Sequence, residues 1–510
     1  MEPMKNALPP EGQAKPAQNL RKPYEAAPRD RFFLLFTAAF CVLLVDTFLW
    51  YGPTAGMTAA VFVWYLLVFS FLGAAPLTVR SNCVLLLFNL FLALTLALSS
   101  SWMFRLWNGL ALLVLLPVHA LALSGAPQLP WWRPAMLWER FCLLLWGLFG
   151  NLGASFAAIS AGRSQRSGRH TASLVLGLAG SVILVAILLP VLSSADALFA
   201  AATAHLRSLF QIRLSTALWK LMVGLVLTPF LFGFLYSLRH PVPPKRKDRA
   251  PSAEPLSFTL VLSALVLLYA LFLAVQSAGL FGGPEYLARR NISYAQWARS
   301  GFFQMVGVTI VNLVVMMAGL TLSRREGRTW SLLRVLSALL VAESLVLLGS
   351  AAWRMTLYVT AYGLSFKRCL TYWGMAMMAL FFLAALWKIR QPERAFCRVA
   401  FPLALAGWLV INCVPVDFLV AKNQVDRLEA GAASIDVEYL LYDLSYDTLT
   451  QLERLDGNLI CYDRSTGGQR HLSALLSQRR KEARRECGDW HTWSLSACLA
   501  ALSGQGARHE

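Results

Sequence analysis

Arg354, Tyr358 and Tyr362 stand four residues apart in the run RMTLYVTAYG and would share one face of a helix. Glu343 lies eleven residues earlier, about three helical turns, so it falls on the same face inside an otherwise apolar run. A carboxyl within an apolar span marks an ion or substrate path, or else pairs with an Arg or Asn of a neighbouring helix for structural reasons. A second group, Tyr294, Trp297 and Arg299, opens the run SYAQWARSGFF, with Ser293 and Gln296 at the spacing of a capping box. Arg299 near a helix N-terminus opposes the macrodipole, so it calls for an anion: a lipid phosphate or a carboxylate from another loop. The alternative is an aromatic belt with a snorkelling arginine. Asp196 can cap or sit at an interface, as can Asp46 at the end of the first apolar run, and Asn412, Asp417, Lys422 and Arg427 read as a solvated boundary at the last membrane exit.

No residue reads as catalytic. The seven histidines are scattered, and no Ser/His/Asp order, Walker loop or glycine-rich dinucleotide fingerprint is evident, so the sequence leans away from an enzyme and from a nucleotide-driven pump. The nine cysteines show no C-x-x-C or Cys/His cluster, so neither a metal nor another cofactor is expected. Cys461, Cys487 and Cys498 fall near the C-terminus; on an oxidising side two of them could pair, leaving one over.

The elements that must hold these residues are membrane helices. Of 510 residues, 57% are hydrophobic and only 14% charged, against about 25% charged in soluble domains. The apolar runs are near twenty residues long, at about 32–50, 57–75, 83–99, 106–124, 140–159, 172–192, 214–238, 256–277, 301–322, 332–352, 373–388 and 397–414. The fold class is all-α: a polytopic transmembrane helix bundle of about 11–12 spans with a small helical C-terminal soluble region.

The formal charge of +19 sits in short loops between apolar runs, which is how orientation is written and excludes nucleic acid as a partner. The loops 160–171, 239–255, 323–334 and 388–398 hold 16 Lys/Arg, against 8 in 193–213, 278–300 and 353–372, which places the first set in the cytoplasm. Five spans then separate a basic N-terminus from the basic loop 160–171, an odd number. Either one does not cross, with 83–124 the suspect region, or the N-terminus is outside.

The chain divides into a disordered basic tail (1–31), N-terminal transmembrane helices (32–192), C-terminal transmembrane helices with an interfacial helix at 193–213 (193–415), and an amphipathic extramembrane tail (416–510) with helices over 436–455 and 472–486. Two spans separate each of the pieces 193–213, 278–300, 353–372 and 416 onward, so parity puts all four on one face. The candidate site on that extracytoplasmic face comprises Asp196, Tyr294, Trp297, Arg299, Arg354, Tyr358, Tyr362 and Asp417, with Glu343 deeper in the membrane.

Six short pieces carry a resemblance: SSADALF at 193–199, SYAQWARSGFF at 293–303, RMTLYVTAYGLS at 354–365, PVDFLVAKNQVDR at 415–427, DVEYLLYDLS at 436–445 and DWHTWSLSACLAA at 489–501. In this order they resemble a bacterial family of multi-pass membrane proteins, the domain of unknown function numbered 4173, related to 4153. Members often have Glu where this chain has Thr360. The resemblance implies the bacterial cytoplasmic membrane and brings no activity.

The first function expected is a transporter, permease-like or lipid-handling protein, taking an anionic lipid or small-molecule substrate. The second is an envelope signalling or assembly protein whose outer tail binds a partner. The third and least favoured is a membrane transferase on lipid-linked substrates, for which Asp196 is the one evident candidate.

Overall fold

The computed structural model describes residues 28–160, 216–240, 253–280 and 302–503, apart from positions 74, 128, 134 and 433, together with the isolated Ser181. Among them, nine helices are long and apolar enough to cross a membrane, and ten if a bent pair is counted as one span. The chain is a multi-pass membrane protein with an all-α bundle.

In order, α1 (Pro28–Leu44) widens into a π turn (Val45–Trp50), followed by α2 (Ala55–Leu72), α3 (Arg80–Leu98), α4 (Trp102–Ser124), α5 (Met136–Gly150) and α6 (Leu152–Ser160). Then come α7 (Thr216–Arg239), α8 (Pro255–Leu280), α9 (Phe302–Leu322), α10 (Gly327–Tyr362), α11 (Phe366–Arg390) and α12 (Cys397–Cys413). The tail holds α13 (Val416–Glu429), a short α14 (Leu449–Leu452), an antiparallel hairpin of β1 (Ile460–Asp463) and β2 (Gly468–His471), α15 (Leu472–Gly488) and α16 (Leu495–Ser503).

Small residues and buried polar pairs hold the spans together, as expected where lipid is as apolar as the side chains. A Cβ on Gly147 would fall 2.7 Å from Ser237 Oγ and 2.8 Å from the Phe234 ring, and one on Gly224 would fall 2.6 Å from Val42. These contacts need glycine. Tyr65, Asn89 and His119 join α2, α3 and α4: Asn89 Nδ2 donates to the Tyr65 hydroxyl, which meets His119 Nδ1, both at 2.8 Å. Asn108 Nδ2 donates to Thr95 Oγ1 and to Asn412 Oδ1, and Trp408 Nε1 donates to Asn108 Oδ1, which ties α3 and α4 to α12.

Two ends of the bundle can be told apart by contacts. Arg239 lies 3.9 Å from Asp30, which puts the end of α7 beside the start of α1, and Lys220 bonds Asp46, which puts the start of α7 beside the π turn. The first end also gathers Arg324, Arg325, Lys388, Arg390, Arg394 and Arg398: Arg325 pairs with Glu393 at 2.6 Å, and Lys388 caps the carbonyls of Pro392 and Arg394. The tail covers the second end.

Several expectations change. The suspect region 83–124 forms two full helices of 19 and 23 residues joined at Ser99–Ser101, each long and apolar enough to cross. Of the expected basic loop 160–171, residues 161–171 lie outside the described residues, and the helices that lead to it are described. Pairs Gly147–Phe234, Asn151–Gly233 and Phe149–Phe230 run α5 and α6 antiparallel to α7, so α6 heads toward the Lys220 end, where α7 begins. Ser160, where the described chain breaks off, and Thr216, where it resumes, therefore stand at one end of the bundle. The expected loop 353–372 is mostly helix, because α10 runs 36 residues to Tyr362 before Gly363, at φ +74°, ends it.

In the tail, 436–455 is not one helix. Asp436 Oδ1 accepts from Tyr439 N, and Thr448 Oγ1 donates to the Leu440 and Ser445 carbonyls, local bonds that compete with the helical ladder. The β hairpin is an addition to the expected all-helical tail. Cys487 and Cys498 form a disulfide, and Cys461 is free and buried.

Candidate functional site at the tail-covered end and beneath it

Glu343 sits midway along α10, buried at 7% exposure. It is about 16 Å along the helix from Arg354, too far to pair with it despite the shared face. Its neighbours are instead a polar chain across three helices: Tyr269 of α8 donates to Asn312 Oδ1 of α9 at 2.9 Å, and Asn312 Nδ2 donates to Ser344 Oγ of α10 at 3.1 Å. Glu343 Oε2 has no hydrogen-bond partner among the described residues.

At the end of α10, Arg354 is half-buried and Tyr362 exposed. The Tyr358 and Tyr362 rings are 5.1 Å apart, and the Arg368 guanidinium lies 4.0 Å from the Tyr358 ring. Arg427 donates to the carbonyls of Val359, Thr360 and Ala361 at 2.7–3.1 Å. Arg368 bonds the Tyr362 and Gly363 carbonyls. These two arginines cap the negative end of the helix dipole, a task the sequence did not assign to them. Asp417 is not at a solvated boundary: it is 3% exposed, and its Oδ2 accepts from Ser445 N at 3.1 Å, which fixes the chain as it enters the tail. Asp196, Tyr294, Trp297 and Arg299 lie outside the described residues, so the structure places Arg354, Tyr358 and Tyr362 along the last turns of α10, sets Asp417 against Ser445 of the tail, and leaves the other half of the expected site unplaced.

The tail grips three interhelical turns. At α10–α11, Leu364 N donates to Asn423 Oδ1 and Phe366 N to the Tyr439 hydroxyl. At α3–α4, Ser100 Oγ accepts from Tyr446 N and shares a hydrogen bond with Ser496, which in turn donates to Asp447 at 2.6 Å. At α1–α2 the contact runs through a carboxylate. Asp46, in the π turn, takes Lys220 Nζ at 2.6 Å on one oxygen and His491 Nε2 at 2.9 Å on the other. The far ring nitrogen of His491 meets Asp489 Oδ1 at 3.0 Å, Gly56 N donates to the His491 carbonyl, and the Tyr51 ring stacks on the imidazole at 4.0 Å. The His491 N–H and imidazole hold the Asp489 carboxyl below the usual range.

Asp46 was legible only as a capping or interfacial acid, and His491 was not singled out at all. The chain carboxyl–imidazole–carboxyl–ammonium can pass a proton or latch the tail. Among the described residues no group of three or more His, Cys, Asp or Glu is arranged to hold a metal ion.

Residues 85–455 match the family described as domain of unknown function (DUF4153). It is the second of the two related families named from the short motifs. No curated protein and no solved structure matches the chain.

Proposed function

The chain belongs to this family, DUF4153, and we propose that it works as a permease-like transporter in a bacterial cytoplasmic membrane, with Glu343 as the group that takes up and returns a proton. Within this reading the six motifs of residues 193–501 mark it as of the related 4173 type. The observation that carries the proposal is the Glu343 carboxyl, buried at mid-span with Oε2 unbonded beside the Tyr269–Asn312–Ser344 chain. A carboxyl left without a fixed partner in a span is costly, and the polar chain beside it offers a route for a proton between helices. Substrate, a small molecule or an anionic lipid, would approach through the tail-covered end, where Arg354, Tyr358 and Tyr362 collect.

That end is read as extracytoplasmic on two grounds. The arginine-rich turns stand at the opposite end, as the positive-inside rule requires of the cytoplasmic face. The Cys487–Cys498 disulfide belongs to an oxidising side.

Glu343→Gln tests the proposal. In proteoliposomes carrying a pH-sensitive dye, an imposed pH gradient should relax faster with the wild-type protein than in empty vesicles. The Gln variant should lose most of that difference while keeping its helical content. An unchanged relaxation rate in the folded variant would overturn the reading. A second reading, binding of an envelope partner, is favoured by the hairpin, where Ile460 and Tyr462 are exposed on a short unpaired strand edge. There, Glu343→Gln would complement a deletion fully while Ile460→Lys would not.

A further inference from the structure

A lateral groove of about 1150 Å³ runs along α3, between α12 and the loop that joins α4 to α5. Its walls include Leu87 and Phe91 of α3 and Phe401, Leu405 and Leu409 of α12. Val84 and Leu87 are 61% and 66% exposed, so the groove opens sideways, where acyl chains of the bilayer lie. Its size matches or exceeds the roughly 300–1,000 Å³ of ordinary small-molecule sites.

One end of this apolar trough is polar. Asn82 and Arg140 line it there, near the start of α3 and of α5, in the half of the membrane that holds the arginine-rich turns. Arg140 is only 7% exposed, and its Nε has no hydrogen-bond partner among the described residues. The neighbouring Glu139 offsets part of the charge, but both its oxygens accept from Leu129 N, at 3.2 and 3.0 Å, which pins the α4–α5 loop that forms the rim. A guanidinium carries five donors in a fixed fork suited to phosphate or carboxylate oxygens, and a buried one without such an acceptor is unfavourable.

We propose that this groove is a binding site for a membrane lipid with an anionic headgroup, drawn from the leaflet at the arginine-rich end. Arg140 holds the headgroup oxygens, Asn82 lies beside them, and α3 and α12 hold an acyl chain. The site is independent of Glu343, which lies on α10 and takes no part in the groove.

The test uses the full chain in mild detergent, with native mass spectrometry against equimolar phosphatidylglycerol and phosphatidylcholine of identical chains. Wild type should prefer phosphatidylglycerol by about tenfold, the scale of one charge-assisted contact. Arg140→Gln should bring the two lipids to near parity, and Arg140→Lys should keep part of the preference. Leu87→Trp, on the open wall, should lower retention of both lipids by filling the groove. Equal binding of the two lipids by wild type, an undiminished preference in Arg140→Gln, or unchanged retention in Leu87→Trp would each overturn the proposal. Displacement of phosphatidylglycerol by millimolar inorganic phosphate alone would also overturn it, because the site would then be one for a free anion. Should Arg140→Gln fail to fold, the Lys and Leu87 variants decide.

Discussion

Asp46 is the residue on which the tail and the bundle meet, and it does so with partners far away in sequence. Lys220 is 174 residues distant and His491 is 445. Hydrogen bonds to charged groups contribute about 1.5–3 kcal/mol each when well formed. Asp46 keeps 24% side-chain exposure, so solvent screening puts the His491 contact toward the lower part of that range or below it. His491→Ala should therefore lower the thermal midpoint in detergent and make the connection near 430–435 more sensitive to protease, while spans remain intact. Equal protease sensitivity of wild type and variant would show that the His491 contact does not hold the tail. Glu343 was legible as a residue to examine because a carboxyl stands out in an apolar run. Asp46 was not, because its pairing depends on contacts that local spacing does not encode. His119, Asn89 and Tyr65 were legible in principle, as polar groups in apolar runs, but nothing in one sequence says that three helices bring them together.

Elements followed their local signals where burial and period agreed, and departed where side chains bond their own backbone. The first helix gains a π turn at Val45–Trp50, which places Asp46 and Tyr51 to face the tail. The hairpin is organised by Asp463, whose side chain is fully enclosed. It accepts from Ser465 N and Oγ, from Thr466 Oγ1, from Arg470 and from the Tyr442 hydroxyl. The Ser465 hydroxyl first, then Ser465 N and Arg470, hold this carboxyl well below its ordinary range. The sign follows directly. A depressed acid stabilises the fold above its unfolded pKa of about 3.9, and that contribution is lost as pH falls from there through the folded value. The tail should thus lose stability between about pH 4 and pH 2, and Asp463→Asn should be less stable at neutral pH yet flatter across that window. Tryptophan fluorescence during acid titration of the full chain checks it, and parallel slopes in the two proteins would sink the assignment. The hairpin itself escaped sequence reading because Arg464, Ser465, Thr466 and Gly467 form the turn between strands of only four residues, too short for a period to show.

At the scale of the whole molecule, the arrangement of charge decides the map where counting spans did not. From Arg239 onward the described helices run alternately between the two ends of the bundle, and the basic residues Arg239, Arg325, Lys388 and Arg394 gather at one of them. The conflict in the first third turns on 160–171, whose three arginines read as cytoplasmic; residues 161–171 lie outside the described residues, and the helices before them carry the argument. The five candidate spans before this loop are each long and apolar enough to cross, so the chain reaches residue 160 at the end opposite Asp30, and α7 starts again from that same end at Lys220. The positive-inside bias is a statistical preference over a whole chain, whereas the direction of α5 and α6 is fixed by their packing on α7. The two accounts part at a single measurable point. Reporter fusions at 245 and 396 should read cytoplasmic, and fusions at 364 and 470 extracytoplasmic. A fusion at 165 should then give the extracytoplasmic signal of 364 and not the cytoplasmic signal of 245. A cytoplasmic reading at 165 alongside an extracytoplasmic one at 364 would contradict the antiparallel packing of α5 and α6 on α7, and with it the continuity of the bundle's first half.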